Sequence, residues 1–206
     1  MDKSFTIWFT GLPRAGKTTV ASLVAKELRE LGCKVEVLDA DVVRPYIMKS
    51  PGGSREEMDT YIGFACQLLN RNGIVAIATG DSIYRAQRRV VLQSIGRLVE
   101  VYMKCPVKVH VIRNFLRHIR QRDLKGIYDK VRRGDIKTWV AHIVRYEKPL
   151  QPDVICDTVI ESPGESAYKV IQRLTELRYL PEAEVVEKPG EVVPAIEAYL
   201  QRETEG

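Results

Sequence analysis

Gly11-Leu12-Pro13-Arg14-Ala15-Gly16-Lys17-Thr18 satisfies the pattern G-x-x-x-x-G-K-[ST]. That spacing lets successive backbone N–H groups turn inward around phosphate oxygens, a curl that glycine tolerates and most residues do not. Lys17 then stands where an ammonium reaches the β- and γ-phosphates, and the Thr18 hydroxyl is a ligand for Mg²⁺. With Thr19, which continues the turn, residues 11–19 form the candidate nucleoside-triphosphate-binding segment. A second group of residues suits transfer chemistry. Asp39 and Asp41 stand at i and i+2: one carboxylate can take a proton from an attacking hydroxyl, and the other can hold a metal-bound water. The plainer alternative for both is an ordinary acidic turn. Arg44, Arg85 and Lys125 are candidates to hold a substrate or the transferring phosphoryl group.

The flanking pattern supplies elements to position these groups. Phe5 to Thr10 is rich in aromatic and β-branched residues, as a strand requires. Val20, Leu23, Val24, Leu28 and Leu31 recur at helical spacing, so the loop opens a helix whose N-terminal dipole favours an anion. Lys34 to Leu38 reads as a strand lying beside the first and ending at Asp39. Pro45, Pro51, Gly52 and Gly53 predict a loop, and Ser54 with Glu57 a capping box. A helix then runs through Met58, Ile62, Ala65, Leu68 and Leu69. Ile74 to Ala78 is a continuous apolar run, the mark of a strand covered on both faces. A helix over 84–95, a strand over 98–103, a helix from Pro106, a strand at 154–156 and a helix over 167–177 complete the alternation. Residues 123–150 are basic and irregular, which predicts a segment closing over phosphates.

Alternating strands and helices predict an α/β three-layer sandwich around a parallel sheet of about five strands, a phosphate-loop nucleoside triphosphatase fold. Ligands in such sheets bind beyond the carboxyl ends of the strands. That rule gathers residues 11–18, Asp39, Asp41, Ser82 and the 123–150 segment into one cleft. The expected division is one kinase domain over 1–180, with a lid at about 123–150, and an extension over 181–206.

The chain has 206 residues, 45% hydrophobic and 29% charged, with a net charge of +5. These values suit one soluble domain that handles anions. Nucleic acid is disfavoured as a partner, a small nucleotide is favoured, and a homodimer is left open. The arginines at 85, 88, 89, 113, 117, 120, 122, 132 and 133 cluster, with solvated helix faces as the plain reading. Cys33, Cys66, Cys105 and Cys156 lie far apart and read as buried free thiols. No apolar run approaches the length of a membrane span, so the expected compartment is the cytoplasm.

Four stretches together resemble the adenylylsulfate kinases, over about residues 4–178. They are Gly11–Thr18; Leu38 to Arg44 against L-D-G-D-N-V-R; Ser82-Ile83-Tyr84-Arg85 against S-P-Y-R; and Arg122 to Tyr128 against R-D-P-K-G-L-Y. Gly134 to Lys137, Tyr146-Glu147 and Cys156-Asp157-Thr158 continue the match. The resemblance implies transfer of the γ-phosphate of ATP, with Mg²⁺, to the ribose 3′-hydroxyl of adenylyl sulfate. It gives Lys17 and Thr18 to ATP and Mg²⁺. It gives Asp41, with Asp39, to proton or metal-water chemistry. Arg44, Ile83, Tyr84, Arg85, Lys125, Lys137 and Trp139 fall to the substrate, Trp139 by stacking on adenine or by packing in the lid. Ser82 matches a position described in the family as a phosphoserine intermediate; a plain hydrogen-bonding serine is the alternative.

The departures lie in the acceptor half. The family's G-F-T-G-I-D-D-P-Y-E becomes Thr138 to Glu147 with its middle replaced. The expected G-F reads Pro51-Gly52-Gly53, and I-R-R-I-G reads Asp59-Thr60-Tyr61-Ile62-Gly63. One stacking aromatic and two arginines are thereby lost. Gly80 and Asp81 replace apolar residues, and the helix before Arg122 is longer by about nine residues, where a helix end absorbs an insertion. Three readings follow: an adenylylsulfate kinase, a related kinase with another acceptor, or a nucleotide-dependent binding protein.

Overall fold

Alternation along the first strand decides the layers. In the computed structural model, which describes residues 4–47, 55–80, 82–106 and 146–180, β1 (Thr6–Gly11) is buried throughout. Phe5, Ile7 and Phe9 point to one face and Trp8 to the other, because successive side chains of a strand alternate. The first face packs under α1 (Lys17–Glu30) and α5 (Pro163–Glu176), through Val20, Val24, Leu28, Val170 and Leu174. The second packs under α3 (Arg55–Arg71) and α4 (Arg85–Ser94), through Met58, Ile62, Cys66 and Val91. The expected three-layer sandwich is what forms.

The sheet is parallel, with order β2-β3-β1-β4-β5, where β2 is Val35–Asp39, β3 Val75–Thr79, β4 Leu98–Lys104 and β5 Val154–Asp157. The expectation that β2 lies beside β1 fails. β3 is wholly apolar apart from Thr79, so it takes the position covered on both faces and sends β2 to the edge. A second correction concerns Pro45, which lies inside helix α2 (Ala40–Ile47) instead of breaking it. Its missing N–H would have met the carbonyl of Asp41, an exposed residue whose oxygen water can satisfy. The last helix begins four residues before its predicted start. Ser162 Oγ accepts from the Glu165 N–H at 3.2 Å, the Glu165 carboxylate accepts from the Ser162 N–H at 2.7 Å, and Pro163 fills the first turn. No described helix is long and apolar enough to cross a membrane. The capping-box Ser54, the three histidines and the helix predicted from Pro106 onward lie outside the described residues.

The cysteines are free: Cys66, Cys105 and Cys156 are buried and Cys33 is half-buried. Burial pushes the Cys66 thiol up to about 12, against a smaller lowering by Thr6, and the Cys156 thiol up to about 11. At pH 8 their thiolate fractions should lower alkylation rates by about 10²–10³ relative to an ordinary exposed thiol. Mass mapping after brief alkylation of the native protein should find Cys66 and Cys156 unmodified. Modification of Cys66 at an ordinary rate would mean that α3 lifts readily from the sheet.

Candidate active site

The loop between β1 and α1 is shaped by two glycines. Gly11 has φ 151°, and a Cβ there would lie 2.6 Å from the Met103 carbonyl oxygen of the adjoining strand. Gly16 has φ 95° and stands before the first turn of α1, a left-handed conformation that other residues adopt only under strain. The Ala15 N–H closes a turn onto the Leu12 carbonyl at 3.1 Å. Lys17, nearly buried, curls back over this loop and donates to the carbonyls of Gly11 and Leu12, both at 3.0 Å. Its ammonium is therefore held over the loop, beside the first turn of α1.

The carboxyl end of β2 meets the loop directly. Thr18 Oγ1 donates to Asp39 Oδ2 at 2.8 Å, and the Asp41 N–H donates to the other Asp39 oxygen at 2.9 Å. Asp41 turns outward and pairs with Arg44 at 3.0 Å; its side chain is 81% exposed. An ion pair so exposed is worth roughly 0–1 kcal/mol, too little to hold the carboxylate in one place. Asp39 is thus the carboxylate joined to Thr18, and Asp41 the one free to meet a ligand.

At the carboxyl end of β3, Ser82, Ile83, Tyr84 and Arg85 lead into α4. Ser82 is buried with φ 34°, and its hydroxyl donates to Asp59 Oδ1 of α3 at 3.0 Å. Tyr84 is extended at the start of α4 and contributes no side-chain cap. The cap comes from Glu147, whose carboxylate accepts the Arg85 N–H at 2.9 Å, a favourable place for an anion. The Glu147 N–H in turn donates to the Ile83 carbonyl at 2.9 Å, and Arg85 Nε donates to the Lys148 carbonyl at 3.2 Å. Arg85 is thereby directed along the 147–148 segment.

Arg88 corrects the reading of the arginine run as solvated helix face. It is 1% exposed and donates to the carbonyls of Ser82 and Glu147, the latter at 2.7 Å, and to the Glu100 carboxylate at 3.3 Å. Burial pushes the Glu100 carboxyl above its usual range, outweighing the opposing pull of Arg88. Tyr146, stacked on Tyr102 with ring centroids 6.3 Å apart, shares a 3.1 Å hydrogen bond with Thr10 Oγ1. Burial raises its phenol too. Sequence reasoning missed Asp59, Arg88 and Glu100 as site-forming residues. Asp59 left a signal, an acidic residue one step from Met58 on a face that continues to Ile62 and Cys66; Arg88 was hidden among its neighbours. Lys125, Lys137 and Trp139 lie outside the described residues.

A phosphate loop at the carboxyl edge of a parallel sheet ordered 2-3-1-4-5 is the architecture of a P-loop kinase. A sequence model described as adenylylsulphate kinase matches residues 3–157, and the chain belongs to that family. It is an ATP-dependent phosphotransferase with a hydroxyl group as acceptor. The adenylyl-sulfate kinase of Rippkaea orientalis is 42% identical over 182 residues, covering 87% of this chain and 96% of its own. That of Picosynechococcus sp. is 40% identical over 181 residues, covering 86% and 97%. The Mycobacterium tuberculosis APS kinase, solved in complex with AMPPNP and APS, matches with a TM-score of 0.66 and 29% identity, over 84% of this chain and 98% of that one.

Proposed function

We propose that this protein transfers the γ-phosphoryl group of ATP to the 3′-hydroxyl of adenylyl sulfate. The observation that carries the reading is the Thr18–Asp39 hydrogen bond, which joins the phosphate loop to the Asp39-Ala40-Asp41 stretch in a chain of this family. Backbone N–H groups of the 11–18 loop, Pro13 having none and the Ala15 N–H already serving the Leu12 carbonyl, cradle the phosphates with Thr19 following, and Lys17 balances charge on the group in transfer. Asp41 takes the proton of the attacking hydroxyl, and Arg44, released from its weak pairing, meets the acceptor. The hydroxyl and carboxylate oxygens of Thr18, Asp39 and Asp41 are hard donors that suit Mg²⁺, directly or through water. When bound, that ion neutralises charge on the phosphate oxygens. Residues 1–180 act as the kinase domain in this reading, with 181–206 as an extension.

A second reading, another hydroxyl acceptor, is favoured by one observation. The family's arginine pair is replaced here by Thr60 and Tyr61, both exposed on α3. An acceptor anion facing them loses charge-assisted hydrogen bonds, which are about twice as strong as neutral ones. The missing G-F aromatic removes stacking worth roughly 1–3 kcal/mol. Adenylyl sulfate should therefore bind the ADP-bound protein more weakly than an intact acceptor half would allow, unless Arg117 or Arg145 supplies the lost charge. Calorimetric titration of the wild type, Arg117→Ala and Arg145→Ala checks this. Tight binding that neither substitution changes would defeat both the weakened site and its replacement.

Coupled ADP release across candidate hydroxyl acceptors tests the function itself. Turnover is expected with adenylyl sulfate, and turnover only with another acceptor would establish the second reading.

A further inference from the structure

The geometry points to Asp59 as a positioning residue of the acceptor side: its carboxylate accepts the hydrogen bond of the Ser82 hydroxyl and keeps Ser82 a hydrogen-bonding residue, not a carrier of phosphate. This rests on the kinase reading above and adds to it a residue that stands where the family pattern I-R-R-I-G begins with an apolar side chain.

A serine hydroxyl has one proton to donate and two lone pairs, whereas a carboxylate only accepts. The 3.0 Å bond between Ser82 Oγ and Asp59 Oδ1 therefore runs from serine to aspartate. What Ser82 retains is acceptor capacity. A substrate group meeting it has to be a donor, such as a hydroxyl or an exocyclic amine, and not a phosphoryl or sulfuryl oxygen. Both side chains are nearly buried, Ser82 and Asp59 each 6% exposed, so water competes little for the bond.

The backbone agrees. Ser82 is a non-glycine residue at φ 34°, and such conformations persist only where the surroundings over-determine them. Here three elements converge on the turn. Asp59 of α3 takes the Ser82 hydroxyl, Arg88 of α4 donates to the Ser82 carbonyl, and the Glu147 N–H donates to the Ile83 carbonyl.

Phosphate on Ser82 would remove the proton that makes this bond. It would set phosphoryl oxygens against the Asp59 carboxylate, acceptors facing an acceptor with like charge. The guanidinium of Arg88 already serves the Ser82 and Glu147 carbonyls and the Glu100 carboxylate.

The test uses the full chain and the variants Asp59→Asn, Asp59→Ala, Ser82→Ala and the double Asp59→Ala/Ser82→Ala. KM for ATP and for adenylyl sulfate is measured separately, with melting temperature alongside. Asp59→Ala should raise KM for adenylyl sulfate about tenfold with KM for ATP unchanged. Asp59→Asn, whose amide oxygen accepts the same bond, should recover most of that loss. The double variant should be no worse than the worse single one, since both remove one interaction. Additive losses, or equal changes in both KM values that track melting temperature, would overturn the positioning role. If Asp59→Ala does not fold, Ser82→Ala and Asp59→Asn carry the same comparison.

Mass analysis after incubation with ATP alone reads the second half without needing the acceptor. Ser82 should stay unmodified, and a phosphorylated Ser82 that discharges to an acceptor would overturn the inference. Failure of adenylyl sulfate to turn over in the wild type would count against the proposed acceptor; the Ser82 result would stand by itself.

Discussion

Lys17→Ala is expected to lower kcat by about 10²–10³ while the protein still melts cooperatively. Loss of one preorganised donor to developing charge typically costs roughly 2.7–4 kcal/mol in the transition state. The structural cost is smaller. Lys17 Nζ holds the carbonyls of Gly11 and Leu12, and hydrogen bonds to charged groups contribute roughly 1.5–3 kcal/mol each at most. Water at the loop replaces part of that, so the loss stays below a typical domain stability of about 5–15 kcal/mol. Melting should fall by several degrees, at about 2–4 °C per kcal/mol for a chain of this size. Steady-state turnover and a thermal melt on the same sample check both halves. Near-normal turnover would remove Lys17 from the transfer step, and loss of cooperative melting would make it a structural residue first.

Asp41→Asn should lower kcat by about 10²–10⁴ and change ATP affinity only a few-fold, because an amide cannot take the proton of the attacking hydroxyl. The partner substitution separates the two carboxylates. Asp39 accepts from the Thr18 hydroxyl with one oxygen and from the Asp41 N–H with the other. An asparagine there would turn an amide donor toward one of those donors, so Asp39→Asn should weaken ATP binding as well as turnover. Nucleotide titration and single-turnover rates on both variants give the comparison. Collapse of ATP affinity in Asp41→Asn with turnover preserved at saturation would reverse the assignments.

On α3 the departures from the family pattern fall on two different faces. Asp59 stands beside two positions where arginines were expected, and it faces inward to Ser82, while Tyr61 is 52% exposed. A helix turns about 100° per residue, so residues two apart in sequence point to different sides of α3. Thr60 and Tyr61, where the arginines were expected, thus face solvent, and the gained carboxylate faces the turn at Ser82.

From the sequence alone the phosphate loop, its flanking strand and helix, and the layer order were legible, because each depends on local rules. Glycine at 11 and 16 answers backbone geometry, and the apolar periods at 5–9 and 20–28 state which faces are buried. Asp39 and Asp41 were legible as a pair by their spacing. Which of them meets Thr18 was not, because that depends on how the end of β2 sits against α1, with β3 between β2 and β1. Strand order follows from competition among strands for the doubly covered positions, a property of the whole sheet. Arg88 and Asp59 were the least legible. Each is a charged residue on a helix, indistinguishable by composition from its solvated neighbours, and long-range partners decide its burial: Glu100 and the Glu147 carbonyl for one, Ser82 for the other. Burying a charge is costly unless it is paired, and those pairs join residues 12 to 59 positions apart. The local sequence determined the turn between β1 and α1; tertiary packing decided which charges are buried around it.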